Sequence, residues 1–387
     1  MSGTFVPRPR PPFRADHVGS LLRPDRLKTA RETLLGPQSP TSNLGPHDNA
    51  ELKAIEDECI REVIALQERA GLRAVTDGEF RRRSWTLELI MSWDGFTADR
   101  TGSTDLSWRG AGGVTQPSMR LWVDSPIRRR RQSSTLRAFE FLKANTHANP
   151  KVNLPAPIML HVMAGGDAGF LQGHYKTAEE FWTDLCTAYR EELAALVAAG
   201  ATYIQLDDTS LAFLCDPALR HTFQRWGHDP DRLLIEYAER INEVLVGLPA
   251  HVTVTLHQCR GNREGFWAAE GGYDPVADVM FNRINVHGYF LEYDTARAGT
   301  FAPLRLLPEG KVVVLGLVSS KSPKLETADE LKRRIEEAAR FTPLDRLALS
   351  PQCGFASSVK GNPLTAAEQE AKLARIVEVA RDLWGEA

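Results

Sequence analysis

Residues 177–208 read TAEEFWTDLCTAYREELAALVAAGATYIQLDD. Threonine followed three residues later by glutamate is a capping-box start, and the helical pattern that follows stops at Gly200. The next run, YIQLDD at 203–208, is apolar at its core and ends in two acids. A helix feeding a short buried strand is the repeating unit of parallel α/β proteins. Working outward, β-rich or buried-looking runs recur at 15–22, 73–79, 158–163, 252–257, 283–293, 311–318 and 346–350. Helical patterns lie between most of them, at 50–70 (ending at Gly71), 231–246, 327–340 and 365–384. Eight runs predict a (β/α)8 TIM barrel. A doubly wound sheet competes, but its glycine-rich phosphate fingerprint is absent after the first run, where the chain reads His17-Val-Gly-Ser20.

The chain of 387 residues has room for one enlarged barrel. Residues 1–14, rich in proline and arginine, read as an N-terminal arm, and 15–387 as a single catalytic barrel. Between the second and third runs, about 92–153, an insertion is predicted over the barrel mouth. It has a glycine-rich stretch at 109–113, an arginine run at 128–131 that reads as a solvated face, and a helix around 135–146. Net charge is −3, which argues against a nucleic-acid partner. No run approaches the roughly 18 apolar residues of a membrane span, and residues 1–14 lack the apolar core of a signal peptide. A cytoplasmic location is therefore expected. Five cysteines are too few for a disulfide scaffold. Exposed helix faces and the arm leave homo-oligomerisation open.

In such a barrel the chemistry gathers at the C-terminal ends of the strands. Those ends carry His17–Ser20, Thr76–Arg81, Gln205–Asp208, His257–Asn262, His287 with Glu292, and Ser350–Gly354. His257 and Cys259 are two apart at a strand end, so their side chains share a face. With Glu292 and Cys353 they form a nitrogen, sulfur and oxygen set suited to Zn2+ rather than to magnesium or calcium. The competing reading makes Cys259 and Cys353 small buried fillers. Cys59, Cys186 and Cys215 are assigned to that reading. A zinc ion held by two thiolates suits binding a substrate thiol as thiolate, which points to alkyl transfer to sulfur, with a purely structural zinc as the alternative.

These residues resemble a known family, the catalytic C-terminal barrel of cobalamin-independent methionine synthase in its short single-barrel form. The resemblance rests on HVGSLLRP at 17–24, DGEFRR at 77–82, QLDD at 205–208, LHQCRGN at 256–262, LEYDTARAG at 291–299 and LSPQCGF at 349–355. It implies zinc ligation by His257, Cys259, Glu292 and Cys353. It also implies that Gly19 and Ser20 hold the homocysteine carboxylate, and that Glu79 and Asp207 hold its amino group. Two carboxylates suit an ammonium, and a hydroxyl beside backbone N–H groups suits a carboxylate. Without the resemblance, Glu79 and Asp207 serve equally well as partners for the arginines at 81–83.

The sequence departs from the full-length family twice. It has no room for the second barrel that helps receive folate. The stretch after the seventh run, GLVSSKSP at 316–323, also lacks the histidine that protonates the departing folate. Lys321 or a serine would have to substitute, and an ammonium is a poor mimic of histidine at neutral pH. His161 and His287 read as core or supporting groups, with either a replacement proton donor in the other reading. The leading expectation is methylation of homocysteine to methionine, from 5-methyltetrahydrofolate or another donor such as methylcobalamin. The alternatives are alkyl transfer to another thiol such as coenzyme M, and a non-catalytic zinc- or thiol-binding homologue.

Overall fold

The structure, a computed structural model, describes residues 8–36, 45–97, 103–110 and 113–387. The first seven residues of the expected arm, and residues 111–112 of the glycine-rich stretch, lie outside the described residues. Seven parallel strands form one curled sheet in chain order: Ala74–Val75, Asn149–Pro155, Tyr203–Asp208, Thr253–Gln258, Gly288–Glu292, Val312–Val318 and Leu347–Pro351. The eighth position is filled by an irregular segment rather than by a regular strand over 15–22. Ala15 bridges Leu349, with Asp16 N donating to Leu349 O and Leu349 N to Arg14 O. On the other side Leu21 N donates to Gly78 O, and Thr76 Oγ1 donates to Gly19 O at 2.6 Å. The segment thus spans from the last strand to the first, as the barrel reading requires.

The predicted helices form where their caps are. Thr177, Thr327 and Thr365 each accept from the N–H three residues on, while the glutamate there reaches back, opening Ala178–Ala198, Ala328–Ala338 and Ala366–Trp384. Ala50–Ala70 ends on left-handed Gly71, and Pro230–Leu245 begins with proline in its first turn.

One strand was misassigned from sequence. Residues 158–163 are not the third strand but lie in the helix Pro157–Met163, which is buried through most of its length. A short wholly apolar run carries no period that separates helix from strand, and proline in the first turn favours the helix. The third strand is Asn149–Pro155, inside the stretch read as insertion. Its two prolines sit at the ends, where the ladder tolerates them, and this masked it. Between the first two strands of the sheet the chain makes two antiparallel pairs, Asp94–Thr97 with Trp122–Arg128 and Ser103–Arg109 with Thr115–Met119, and then the helix Ser134–Asn145. The run 283–293 also divides, into the helix Ala277–Arg283 and the strand Gly288–Glu292.

Side chains alternate along the strands. Val152, Leu154, Ile204, Leu206, Val254, Leu256, Leu291 and Leu315 belong to the main apolar core with the helices. The other face is mostly polar, with Lys151, Asn153, Gln205 and Thr255 all buried. Low in the barrel, Lys151 Nζ pairs with Asp16 Oδ1 at 3.1 Å, both fully buried, and lies 4.0 Å from the Phe290 ring centroid. Tyr203 OH donates to the other oxygen of Asp16 at 2.8 Å. A buried pair is tolerated when its remaining valences are filled in this way. Among the described residues no helix is long and apolar enough to cross a membrane.

Candidate functional site

At the C-terminal ends of the strands, the ligand atoms of His257, Cys259 and Cys353 all lie within 4.8 Å of one another, and all three residues are buried. His257 is the penultimate residue of the strand Thr253–Gln258 with Cys259 two residues on, while Cys353 follows the strand Leu347–Pro351. The two sulfurs are 3.3 Å apart. Both ring nitrogens of His257 are buried and lack a hydrogen-bond partner. Burial, together with the neighbouring Cys353 and Glu292, pushes the Cys259 thiol well up. An orphaned imidazole beside two crowded thiols is a poor metal-free arrangement and a good metal-binding one.

Glu292 stands beside this trio. Its Oε2 lies 3.5 Å from Cys259 Sγ and accepts from Arg260 N at 2.9 Å. Oε1 faces Arg297 at 3.4 Å and Lys321 at 3.8 Å. Burial opposes ionisation, but Lys321, Arg260 and Arg297 hold the carboxyl below its usual range. Glu292 is therefore an anion next to the trio, already partnered by cations, rather than one of the tight cluster.

A cavity joins the trio to the other predicted residues, with Ser20, Glu79, Asp207, His257, Cys259 and Cys353 among its lining. Asn153 Nδ2 donates to Glu79 Oε1 at 2.5 Å and to Asp207 Oδ2 at 2.9 Å. Gln205 Nε2 donates to Asp207 Oδ1 at 2.6 Å. The second oxygen of Glu79 is buried without a partner, and Glu79 itself is held at φ 62. Burial raises both acids, and Asp207 raises Glu79 further against the pull of Arg82, bringing it to about 7. The pair is therefore short of a donor at the second oxygen of Glu79. The expectation of arginine partners meets a mixed outcome: Arg82 Nη1 is 3.8 Å from Glu79, whereas Arg81 pairs with Glu56 and Asp57.

Ser20 is fixed by the turn after Cys353. Ser20 O accepts from Phe355 N at 2.9 Å, and Ser20 Oγ from Ala356 N at 3.4 Å. A Cβ on Gly354 would lie 1.9 Å from Ser20 Oγ. Gly19, at φ 142, brings its backbone so close to Asn153 that a Cβ would lie 2.9 Å from the amide nitrogen. The serine and its glycine thus meet the acids through Asn153.

Asn153 escaped the sequence reading because its strand did. Trp85, Trp108 and Ser357 also escaped it, and Asn262 was read only as part of a strand end; all four line the cavity and continue into a larger one. Only the strand-like run KVNL at 151–154 signals the first of these. Lys321 does occupy the loop after the strand Val312–Val318, with Nζ donating to Gly261 O at 2.9 Å. Ser320 Oγ is engaged with Gln352 at 2.5 Å. His287 lies at the opposite end of the sheet, its Nδ1 accepting from Val254 N, and His161 binds Tyr237 and Asp167. Cys59, Cys186 and Cys215 are buried and unpaired, away from the trio.

Comparison with known proteins gives a consistent result. The model of the cobalamin-independent synthase catalytic domain matches residues 161–382. The uncharacterized protein YxjG of Bacillus subtilis is 39% identical over 383 residues, which is 97% of this chain and 96% of that one. The methionine synthase of Pyrococcus abyssi is 26% identical over 312 residues, 78% of this chain and 76% of its own. A solved structure from Listeria monocytogenes, a candidate vitamin-B12 independent methionine synthase, superposes with a TM-score of 0.73 at 34% identity, covering 97% of this chain and 99% of that one. The sheet of parallel strands, the trio at its mouth and these matches lead to one conclusion: the chain belongs to the cobalamin-independent methionine synthase family.

Proposed function

We propose that this protein is a zinc-dependent methyltransferase that converts homocysteine to methionine. The observation that carries the reading is a single cavity with a thiol-seeking end and an ammonium-seeking end. His257, Cys259 and Cys353 would hold the zinc, with Glu292 the nearest further donor. When bound, zinc supplies the positive charge that keeps a substrate thiol deprotonated at neutral pH.

The chain's own residues orient the amino acid. Glu79 and Asp207 accept the ammonium, which gives the free oxygen of Glu79 a donor, adds to the pull of Arg82 and draws Glu79 into its ionised form. Ser20 Oγ, with the backbone at Gly19 and Ser20, receives the carboxylate. Held at three points, the sulfur faces the larger cavity, where the donor enters between Trp85 and Trp108. The sulfur–carbon bond forms as the donor's methyl bond breaks, and the donor keeps the bonding electron pair. Lys321 is the one cation of the post-strand loop within reach of the metal end, and it is committed to Gly261 and Glu292. That favours a donor such as methylcobalamin, whose departure needs no proton, over 5-methyltetrahydrofolate.

Coenzyme M as acceptor fits less well, because it offers a sulfonate and no ammonium to the two acids. The test is methionine formation by zinc-loaded protein from saturating homocysteine, with methylcobalamin and with 5-methyltetrahydrofolate in parallel. Methionine from methylcobalamin is expected. Preferential methylation of coenzyme M, or methionine from neither donor, overturns the reading.

A further inference from the structure

A second group of ligand-bearing side chains meets outside the cavity. His161 Nε2 lies 2.9 Å from Asp167 Oδ1, and His228 Nε2 lies 3.6 Å from the same oxygen. The three ligand atoms lie within 4.8 Å of one another, with His161 buried and the other two half-buried. We propose that His161, Asp167 and His228 form a second, cysteine-free site for a divalent transition metal, distinct from the one at His257, Cys259 and Cys353.

Three observations carry this. First, a hydrogen-bonded His161–Asp167 pair accounts for only two of the three groups. It leaves His228 Nε2 buried with no hydrogen-bond partner, aimed at a carboxylate oxygen that His161 already uses. A cation between the three atoms satisfies all of them. Second, His161 Nδ1 is 2.7 Å from Tyr237 OH, the kind of outer partner that fixes the ring and leaves its other nitrogen directed at a metal. Phe170 and Trp182 flank the ring with centroids 6.1 and 5.4 Å away, giving an apolar surround. Third, the backbone is bent to bring the ligands together. Gly165 and Gly166, at φ 74 and 72, turn the chain after the helix Pro157–Met163 so that Asp167 returns to His161, six residues before it. His228 comes from beyond the helix Pro217–Arg225, and a Cβ on Gly166 would already be 3.4 Å from its Nε2.

Two imidazoles and one carboxylate, with no thiolate, select borderline metals such as zinc, iron, cobalt or nickel and leave positions for water. Its place gives the site a task. His161 lies on the helix that supplies Met159, Val162 and Met163 to the larger cavity. Trp226, two residues before His228, donates to Asp105 Oδ2 in the strand Ser103–Arg109 at 3.1 Å. A metal here ties the cavity wall to the segment that packs over it.

Cobalt(II) titration of the full chain, stripped of metal by chelation, tests the proposal. Two equivalents are expected, of which one shows the thiolate-to-cobalt charge-transfer band. His228→Ala is expected to lose the equivalent without that band and to keep the other. In the chain carrying Cys259→Ser and Cys353→Ser, one band-free equivalent is expected to remain. A single equivalent in the unsubstituted chain, all of it thiolate-ligated, overturns the proposal, as does an unchanged stoichiometry in His228→Ala. Failure of the double-cysteine variant to fold leaves both of those measurements intact, and neither depends on methyl transfer.

Discussion

The side-chain amide of Asn153 donates to Glu79 Oε1 at 2.5 Å. The same nitrogen donates to Asp207 Oδ2 at 2.9 Å, so one amide spaces two acids that are far apart in sequence. Asn153→Ala removes this spacer and leaves both buried carboxyls short of a donor. Losing a hydrogen bond to a charged group costs roughly 1.5–3 kcal/mol. The KM for homocysteine is expected to rise by about tenfold or more, with metal content unchanged. Steady-state kinetics beside metal analysis checks this, and an unaltered KM would remove Asn153 from the site.

The titration of Glu79 gives a pH signature. Its carboxyl is raised from 4.5 to about 7 in the fold, chiefly by burial. Between those values the folded chain holds a proton that the unfolded chain has released, so stability falls as pH rises through the window. The loss is on the order of 3 kcal/mol. Glu88, also raised to about 7 by burial, contributes in the same direction. Glu79→Gln should therefore flatten part of the decline in Tm between pH 4.5 and 7. Methionine, which carries the ammonium but no thiol, should bind more tightly as pH rises through about 7 in the unsubstituted chain. Calorimetry should show that dependence weakened in Glu79→Gln.

Gly354→Ala places a Cβ 1.9 Å from Ser20 Oγ, so the serine or the turn must move. Overpacking of this kind costs about 1–3 kcal/mol. A fall of about tenfold or more in kcat/KM is expected, while the cobalt thiolate band persists. Retained kcat/KM would mean that Ser20 is not needed where the fold puts it.

Cys353→Ser replaces a thiolate with an alcohol that does not ionise at neutral pH. Methyl transfer is expected to fall by at least about 100-fold. The thiolate-to-cobalt band should weaken, because Cys259 alone remains. Full activity with an unchanged band would refute the ligand assignment.

Much of the site was legible because strand ends are local features. An apolar run that stops at His257, Cys259, Asp207 or Glu292 announces a polar group at the barrel mouth, whatever lies elsewhere in the chain. The caps at Thr177, Thr327 and Thr365 are local in the same way, since side chain and backbone partner are three residues apart. Asn153 was not legible, because proline at both ends hid its strand and the apolar helix after it imitated one.

The sequence by itself therefore determined the alternation of helix and strand, the barrel class, and most of the residues at the cavity. Periodicity, capping and strand-end polarity are encoded within a few residues of each other. Only the tertiary structure decided which run is the third strand, and that the eighth position is an irregular segment held by Leu349 and Gly78. It alone brought Cys259 within 3.3 Å of Cys353, 94 residues away, set Glu292 beside the trio among cations, and gathered His161, Asp167 and His228. Distances between residues so far apart in the chain follow from how the sheet curls and the helices pack, and no local pattern records them.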